Sequence, residues 1–158
     1  MDFDYVIIGA GSAGCVLANR LSADPSVRVC LVEAGPVDRS PLIHTPAGII
    51  GILPTRHVNW AFETVPQPGL KGRLGYQPRG KTLGGSSAIN AMIYIRGHRT
   101  DYDDWAALGN PDWSYDGVLP WFRRSEDYFG GADTYHGAGG ELTVSALDAH
   151  PATHAFIE

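Results

Sequence analysis

The chain has 158 residues, of which 44% are hydrophobic and 18% are charged, and its formal net charge at pH 7 is −5. The apolar fraction is too high for an intrinsically disordered protein. The acidic balance argues against nucleic acid as a partner, because such binding needs a basic surface. No apolar run approaches the roughly 18 residues of a membrane-spanning helix. Because the amino terminus lacks a secretory signal and two cysteines cannot form a disulfide framework, we expect a cytoplasmic protein.

The beginning of the chain predicts a strand, a helix and a second strand. Tyr5–Ile8 is a short apolar run that is typical of a parallel strand buried on both faces. Apolar residues with helical spacing follow as far as Leu21, and Asp24 with Pro25 is expected to end that helix. Val27–Glu33 forms the next apolar run. This order indicates a βαβ unit and an α/β fold class.

A glycine fingerprint lies between the first predicted strand and the helix. Gly9 permits the tight turn, Gly11 lets the backbone approach a pyrophosphate, and Gly14 allows the helix to pack closely on the strand. The unpaired N–H groups at the start of the helix, around Ser12 and Ala13, would face the phosphates. In this context the fingerprint predicts a dinucleotide site, with an ordinary βαβ turn as the alternative.

An acidic residue ends the second predicted strand. Glu33 lies 19 residues beyond Gly14, and its carboxylate can accept hydrogen bonds from a ribose diol. The residues that follow it are Ala34, Gly35 and Pro36. Because none of them is Arg or Lys, the sequence favours a dinucleotide whose ribose carries no 2′-phosphate. The fingerprint alone does not choose between NAD and FAD.

Residues 35–80 interrupt the nucleotide-binding pattern, because they contain seven prolines and no sustained helical periodicity. Trp60–Val65 alternates like a strand, and Gly69–Gly72 is typical of a turn before a second strand over Leu74–Gln77. Such a long excursion favours a ligand longer than one nucleotide, across which the chain itself must travel. It tilts the choice toward FAD.

A second glycine-rich segment, Gly80–Asn90, leads into another apolar stretch. Its paired glycines and paired serines are typical of a backbone-rich anion cradle at the start of a helix. The hydroxyls of Ser86 and Ser87 could donate to a phosphate or cap the helix. The residues alone leave two interpretations open, which are a second phosphate contact and a capped turn.

These two glycine segments carry a resemblance to a known family. Gly9–Gly14 with Glu33–Gly35, and the stretch Gly80–Asp103 with its Tyr94 and Gly97, resemble the glucose–methanol–choline (GMC) oxidoreductases. The resemblance covers nearly the whole chain and is strongest to members that act on choline or on aliphatic primary alcohols. Further matching segments are Asn59–Thr64, Asp101–Trp105 and His136–Gly137.

The resemblance implies an incomplete, Rossmann-like FAD-binding domain over residues 1–130 and the start of an α+β substrate domain over residues 131–158. Ile89 stands where some members carry a histidine that bonds covalently to the flavin, so we predict non-covalent FAD. The residues implied at the cofactor are Gly9, Gly11, Ser12, Ala13 and Gly14 at the pyrophosphate, Glu33 and Ala34 at the adenosine ribose, Thr82, Gly84, Gly85 and Ser87 along the pyrophosphate and ribityl chain, Asn90, Ala91, Met92 and Ile93 beside the isoalloxazine, and Trp60 as an aromatic residue near the cofactor.

The last third of the chain predicts two helices. Thr100 and Asp103 would cap a helix over Asp101–Leu108, and Ser114 would cap a helix over Tyr115–Glu126. We expect the aromatic side chains around these helices to form an apolar core. They are Trp105, Trp113, Trp121 and Phe122.

The remaining carboxyl-terminal residues predict a strand and no metal site. Gly140–Val144 is expected to be a strand that begins the substrate domain. His150 and His154 have the spacing of metal ligands on a helix, but Pro151 separates them and no Glu accompanies them. We therefore expect a pair of surface histidines and no zinc site.

The implied activity is oxidation of the CH–OH group of a primary alcohol or choline-like substrate by hydride transfer to FAD. An electron acceptor other than oxygen, such as a quinone, would then reoxidise the flavin. The intact enzyme would be a candidate for peripheral association with the inner face of the cytoplasmic membrane. Two alternatives remain at this point, which are a flavin-containing lyase without redox chemistry and a stand-alone NAD-binding module.

No catalytic residue is assigned within residues 1–158. Alcohol oxidation needs a base that removes the hydroxyl proton, and the resemblance implies a histidine in a region outside this sequence. The nucleotide-binding fold also lacks a strand by count. We therefore expect the chain to be the amino-terminal portion of a longer enzyme and to be inactive alone.

Overall fold

The computed structural model describes residues 2–146 and 150–157. The chain divides into two compact units between Ile93 and Tyr94. The predicted assignment of residues 1–130 to the cofactor and 131–158 to the substrate concerns ligand binding and stays a prediction. Among the described residues, no helix has the length and apolar character needed to cross a membrane.

The first unit begins with the expected βαβ motif. Strand β1 (Tyr5–Ile8) pairs in parallel with strand β2 (Val29–Val32), in the register that aligns Tyr5 with Val29. Helix α1 (Ser12–Leu21) connects them. The helix begins at Ser12, so Gly14 lies in its first turn. Strand β2 is shorter at both ends than the predicted run Val27–Glu33. The α/β prediction is confirmed.

The prediction that β1 is buried on both faces is wrong for this structure. Ile8 is 87% exposed and Val6 is 60% exposed. The reason is that the sheet contains two strands within the described residues, so few side chains pack against its faces. The apolar composition of the run shows that the strand is suited to a buried position. Whether it is buried depends on the segments that cover the sheet.

Two of the three buried residues in the hydrophobic core of the first unit lie in the proline-rich excursion before Trp60, where the sequence predicted no element. Ile52, Val58 and Ile89 are buried against one another. Ile52 ends the short helix α2 (Ile49–Ile52), which follows a 3₁₀ turn at Pro46–Gly48. A run that is too short to be recognised by its periodicity thus forms one turn of helix, whose last residue is buried in this core.

A β-hairpin follows α2. Strands β3 (Phe62–Glu63) and β4 (Tyr76–Gln77) are antiparallel, and isolated bridges such as Asn59 to Gly80 extend the pairing. The regular strands are shorter than predicted because Ala61 has a left-handed backbone (φ 49°) that interrupts the ladder.

Within the residues that the structure describes, the second unit contains three α-helices and two strands. They are α3 (Arg99–Ala107), α4 (Tyr115–Ser125), β5 (Glu126–Tyr128), β6 (Leu142–Val144) and α5 (Pro151–Ile157). The two strands are parallel, with Glu126 opposite Leu142. The predicted strand at Gly140–Val144 is confirmed over its last three residues, whereas β5 was not predicted.

The cap of α4 is confirmed and the cap of α3 is corrected. The Ser114 hydroxyl accepts a hydrogen bond from the Gly117 amide at 3.2 Å, as expected for an N-cap. At α3 the cap is His98, whose backbone N–H donates to Asp101 in a reciprocal capping box. Asp103, predicted in that role, instead accepts from the Tyr115 amide at 2.9 Å.

The prediction of an aromatic core is also corrected. The rings do meet, because Trp105 contacts Trp113 with centroids 5.9 Å apart and Tyr102 contacts Phe122 at 5.8 Å. However, Trp121 is 65% exposed, and the other two tryptophans are about half exposed. Only Tyr102 is buried among them in the part of the chain that the structure describes. The cluster therefore has one solvent-facing side.

Candidate cofactor site

The first glycine segment forms an open turn at the start of α1. Gly9 adopts a left-handed backbone (φ 96°), and its amide donates to the carbonyl of Val32 at 2.8 Å, which ties the turn to β2. No side chain caps the helix at Gly11. A methyl group added to Gly11 would meet no protein atom within 4 Å. The turn therefore leaves free space and unpaired helix N–H groups together, as an anion site requires.

Glu33 lies beside this turn and organises it. Its Oε2 accepts the amide of Ala10 at 2.8 Å, and its Oε1 accepts the amide of Gly35 at 2.9 Å. A carboxylate can accept about four hydrogen bonds, so both oxygens retain acceptor capacity for a ribose hydroxyl. Ala34, which the resemblance also implies at the ribose, is exposed next to Glu33.

The second glycine segment docks onto the first. The Gly84 amide donates to the carbonyl of Ala10 at 2.8 Å. A methyl group on Gly85 would lie 2.7 Å from the Cα of Gly11, so only glycine allows the two backbones to approach this closely. The two segments, which are about 70 residues apart in sequence, form one backbone-lined cradle.

Thr82 fixes the second segment rather than facing open space. Its side chain is fully buried, and the hydroxyl donates to the carbonyl of Pro36 at 2.8 Å. The Leu83 amide donates to the same carbonyl at 3.1 Å. The structure therefore gives the Thr82 hydroxyl a partner within the protein, and it holds the segment next to the end of β2.

The two serines of this segment do not cap a helix. Gly84 occupies the N-cap position of a 3₁₀ turn at Gly85–Ile89, and no side chain bonds to that cap. The Ser86 hydroxyl accepts from the Gly80 amide at 3.0 Å, and the Ser87 hydroxyl donates to the Gly84 carbonyl at 2.6 Å. Both serines thus shape the segment, since its tight turns leave their hydroxyls close to its own backbone.

A cavity of about 250 Å³ adjoins the end of this segment. Ser87, Asn90 and Met92 line one side of it, together with residues of the excursion such as His44 and Ile49. Met92 has a left-handed backbone (φ 56°), and its amide donates to Asn90 Oδ1 at 2.8 Å. Ala91 and Ile93 are exposed along the same stretch.

Trp60 belongs to a stacked group on the hairpin. Its ring stacks on Phe62, with centroids 5.6 Å apart and planes within 7°. The Nζ atom of Lys81 lies 4.6 Å from the centre of the Trp60 ring, within the range of a cation–π interaction. Sequence reasoning did not find Lys81, although its position at the head of the second glycine segment was a signal. The indole itself is 38% exposed.

Comparison with known proteins identifies the family. The family model described as GMC oxidoreductase matches residues 3–158. The chain belongs to the GMC oxidoreductase family. Among curated relatives, an alcohol dehydrogenase [acceptor] from Pseudomonas putida is 53% identical over 99% of the chain. The human mitochondrial choline dehydrogenase is 47% identical, also over 99% of the chain. The chain spans 29% and 28% of the lengths of these two GMC relatives.

Solved structures share this fold. A pyridoxine 4-oxidase from Mesorbium loti matches 99% of the chain with a TM-score of 0.88 and 42% identity, and 31% of its own chain is covered. A formate oxidase variant from Aspergillus oryzae matches 98% of the chain with a TM-score of 0.83 and 32% identity, and 28% of its own chain is covered. The resemblance to the GMC family and the predicted fold class are therefore confirmed.

The residues present fit a dinucleotide such as FAD. The two glycine segments form a cradle. A methyl group added at Gly11 would occupy its open space, and one added at Gly85 would clash with Gly11 and separate the two segments. Neutral backbone N–H groups line it, and Glu33 supplies the acceptor for a sugar hydroxyl. Within the described residues, no group of three or more His, Cys, Asp or Glu side chains is arranged to hold a metal ion.

Proposed function

We propose that this chain forms the FAD-binding amino-terminal part of an oxidoreductase that oxidises the CH–OH group of a primary alcohol or choline-like substrate. The observation that carries the proposal is the docking of the second glycine segment onto the first, through the bond from the Gly84 amide to the Ala10 carbonyl. An NAD-binding turn needs one glycine segment at the pyrophosphate. A second segment beside it, followed by the cavity at Asn90 and Met92, suits a cofactor that continues beyond its pyrophosphate.

The residues of this chain would bind the pyrophosphate and the ribose of the cofactor, which do not react. The helix N–H groups around Ser12 and Ala13 would bind the pyrophosphate, and Glu33 would accept the ribose hydroxyls. Asn90 and Met92 would lie beside the ring system. When bound, FAD supplies the acceptor for a hydride from the alcohol carbon. No residue of this chain is assigned as the base for the hydroxyl proton.

The substrate and partners of the whole enzyme follow from the family and are part of this proposal. Relatives that carry the names alcohol dehydrogenase [acceptor] and choline dehydrogenase support an alcohol or choline-like substrate. We also propose an electron acceptor other than oxygen, such as a quinone. A cytoplasmic location, with peripheral association at the inner face of the membrane, completes the proposal.

Titration of the purified chain with FAD and with NAD tests the cofactor assignment. We expect saturable quenching of flavin fluorescence by the chain, and weaker binding of NAD, which shares only the ADP half of FAD. Glu33→Gln should weaken FAD binding about tenfold, the scale of one charge-assisted hydrogen bond. The exposed carboxylate Glu63 offers a matched control, because Glu63→Gln should leave the affinity unchanged. Absence of saturable FAD binding, or equal binding of NAD, would contradict the proposal.

The non-covalent attachment predicted from Ile89 has its own test. Denaturation of the FAD-loaded chain with acid should release all of the yellow colour into the supernatant. Flavin absorbance that remains with the precipitated protein would show a covalent bond and overturn this part of the proposal.

A further inference from the structure

A histidine lines the cavity at Asn90 and Met92. His44 is exposed, and it lies in the turn that connects β2 with α2. The residue after it, Thr45, closes this turn, because its hydroxyl donates to the Pro41 carbonyl at 2.8 Å. The backbone that carries the imidazole is therefore held by a bond within the protein.

A second bond holds the imidazole ring itself. The His44 Nε2 atom lies 2.5 Å from the carbonyl oxygen of Asp38. Because a carbonyl only accepts hydrogen bonds, the ring proton is assigned to Nε2. In the neutral imidazole the other nitrogen, Nδ1, is then an acceptor. Within the described residues, Nδ1 has no hydrogen-bond partner.

Three other polar side chains of the cavity wall already bond to the protein. The Ser87 hydroxyl donates to the Gly84 carbonyl at 2.6 Å, and Asn90 Oδ1 accepts the Met92 amide at 2.8 Å. The hydroxyl proton of Thr45 is used in the turn described above. These groups therefore shape the wall of the cavity before they contact a ligand.

Two acceptor groups among the lining side chains have no bond in the part of the chain that the structure describes. They are His44 Nδ1 and the Asp38 carboxylate. The carboxylate is charged, so covering it with an uncharged ring would cost much of its hydration. A neutral imidazole carries no such cost. An uncharged ligand that presents N–H or O–H donors therefore pairs better with His44.

We propose that His44 binds the flavin half of FAD, with Nδ1 as the acceptor for a hydrogen bond from the ring or from the ribityl chain. The inference rests on the proposed function, because the cavity receives a flavin only if the chain binds FAD. The flavin half is uncharged and offers such donors at the ring N3–H and at the ribityl hydroxyls. The glycine segments and Glu33 would bind the other half of the cofactor, so loss of the imidazole should leave that half in place.

Comparison of FAD with ADP tests this division of the cofactor. ADP contains the adenosine and the pyrophosphate, and it lacks the flavin half. We expect His44→Phe to weaken FAD about tenfold, because a buried donor of the ligand loses its acceptor. The affinity for ADP, measured by competition, should stay within about twofold of the wild-type value, which also shows that the variant is folded. Equal losses for both ligands, or an unchanged FAD affinity, would overturn the inference.

The chain offers a matched control for this substitution. His57 is an exposed histidine of the same unit, and it is absent from the residues that line the cavity. His57→Phe makes the same chemical change away from the cavity, so it should leave both affinities at the wild-type values. A loss of FAD affinity equal to that of His44→Phe would show a nonspecific effect of the substitution and overturn the inference.

Two conservative variants separate the roles of the two ring nitrogens. His44→Asn places an amide oxygen near the position of Nδ1 but is too short to keep the bond to Asp38. His44→Gln can keep that bond through its amide nitrogen, and it offers no acceptor at the position of Nδ1. We expect His44→Asn to bind FAD within about threefold of the wild type, and His44→Gln to lose as much as His44→Phe. The reverse order would show that the ring only holds Asp38, which overturns the inference.

Asp38→Asn tests the other acceptor group. This variant keeps the backbone carbonyl that holds the imidazole and removes the charge of the side chain. We expect the ratio of FAD to ADP affinity to stay unchanged. A selective loss of FAD affinity as large as that of His44→Phe would identify the carboxylate as the acceptor and overturn the inference.

Two analogues of FAD identify the donor. 3-Methyl-FAD lacks the ring N3–H, and an analogue with a deoxyribityl chain lacks the ribityl hydroxyl donors. The substitution and the analogue that lacks the bonded donor remove the same hydrogen bond, so their effects on affinity should not add. Additive losses for both analogues would overturn the inference. Failure of the wild-type chain to bind FAD would instead refute the proposed function, and the inference with it, so the two failures are distinguishable.

Discussion

Separate replacement of Gly11 and Gly14 by alanine should show that the two glycines have different roles. Gly11 faces the ligand, whereas Gly14 allows α1 to pack closely. A methyl group on Gly14 would lie 1.9 Å from the carbonyl oxygen of Gly9 and 3.4 Å from Cγ2 of Ile7. A methyl group on Gly11 would point into space that holds no protein atom within 4 Å. We therefore expect Gly14→Ala to destabilise the βαβ motif, and Gly11→Ala to obstruct the cofactor without disturbing the fold.

The contact distances set the size of the two effects. Because ordinary contact begins near 3.4 Å, α1 would have to move about 1.5 Å away from Gly9 in Gly14→Ala. Overpacking of this kind costs about 1–3 kcal/mol, and alanine returns about 1 kcal/mol of helix propensity. The clash is with a backbone oxygen that cannot rotate away, so we expect a net loss of about 2 kcal/mol. Gly11 has an extended backbone open to any residue, and its replacement should cost less than about 1 kcal/mol.

Urea unfolding followed by circular dichroism measures the first effect, and titration with FAD measures the second. Gly11→Ala should unfold at nearly the wild-type urea concentration and bind FAD at least about tenfold more weakly, because the methyl group occupies the approach to the pyrophosphate. Wild-type FAD affinity in this variant would refute the assignment of the cradle. Wild-type stability in Gly14→Ala would refute the close packing of α1 on Gly9.

Three further predictions concern the second unit. Ser114→Ala removes the N-cap of α4 and should lower the free energy of unfolding by about 1 kcal/mol in a urea titration. Hydrogen bonds from His136 hold the pKa of Asp133 below its usual value. Asp133→Asn should therefore lower Tm at pH 7, and the difference in Tm should disappear as the pH falls from about 4 through the lowered pKa, because the wild-type carboxylate becomes protonated there. Asp116→Asn breaks an exposed ion pair with Arg99 and should leave the urea midpoint of unfolding nearly unchanged, so a clear loss of stability would contradict its exposure.

The parts of the site that local patterns encode were predictable from the sequence. A glycine fingerprint after an apolar run defines a strand, a turn and a helix over consecutive residues, and Glu33 follows at the distance that one helix and one turn require. The paired glycines at Gly84 and Gly85 also predicted a backbone-rich anion cradle. Their partner could not be read from the sequence, because contact with Gly11 depends on how the intervening excursion folds.

Burial was the least predictable property. Apolar composition predicted that β1 and the tryptophans are buried, whereas they are largely exposed, because burial depends on which other segments cover them. The reverse error concerns Glu126, which sequence reasoning assigned to a helix end. It is fully buried, and its Oε2 bonds to Arg96 at 2.8 Å and to the Gly137 amide at 2.7 Å. A charge is rarely buried without a partner, and here the partner is 30 residues away, where no local pattern connects the two.

The Glu33 carboxylate has two roles, which are to hold the glycine turn in shape and to accept hydrogen bonds from a ribose. It accepts the amides of Ala10 and Gly35, so it shapes the glycine turn as well as offering acceptor positions to a ribose. The Ala10 carbonyl, on the opposite side of the same residue, then receives the Gly84 amide. Glutamine at this position has one acceptor oxygen in place of two and would leave one of the two amides facing its NH₂ group. Glu33→Gln should therefore weaken FAD binding both by losing a ribose contact and by loosening the cradle, and ADP affinity should fall together with FAD affinity, because both ligands contain that ribose.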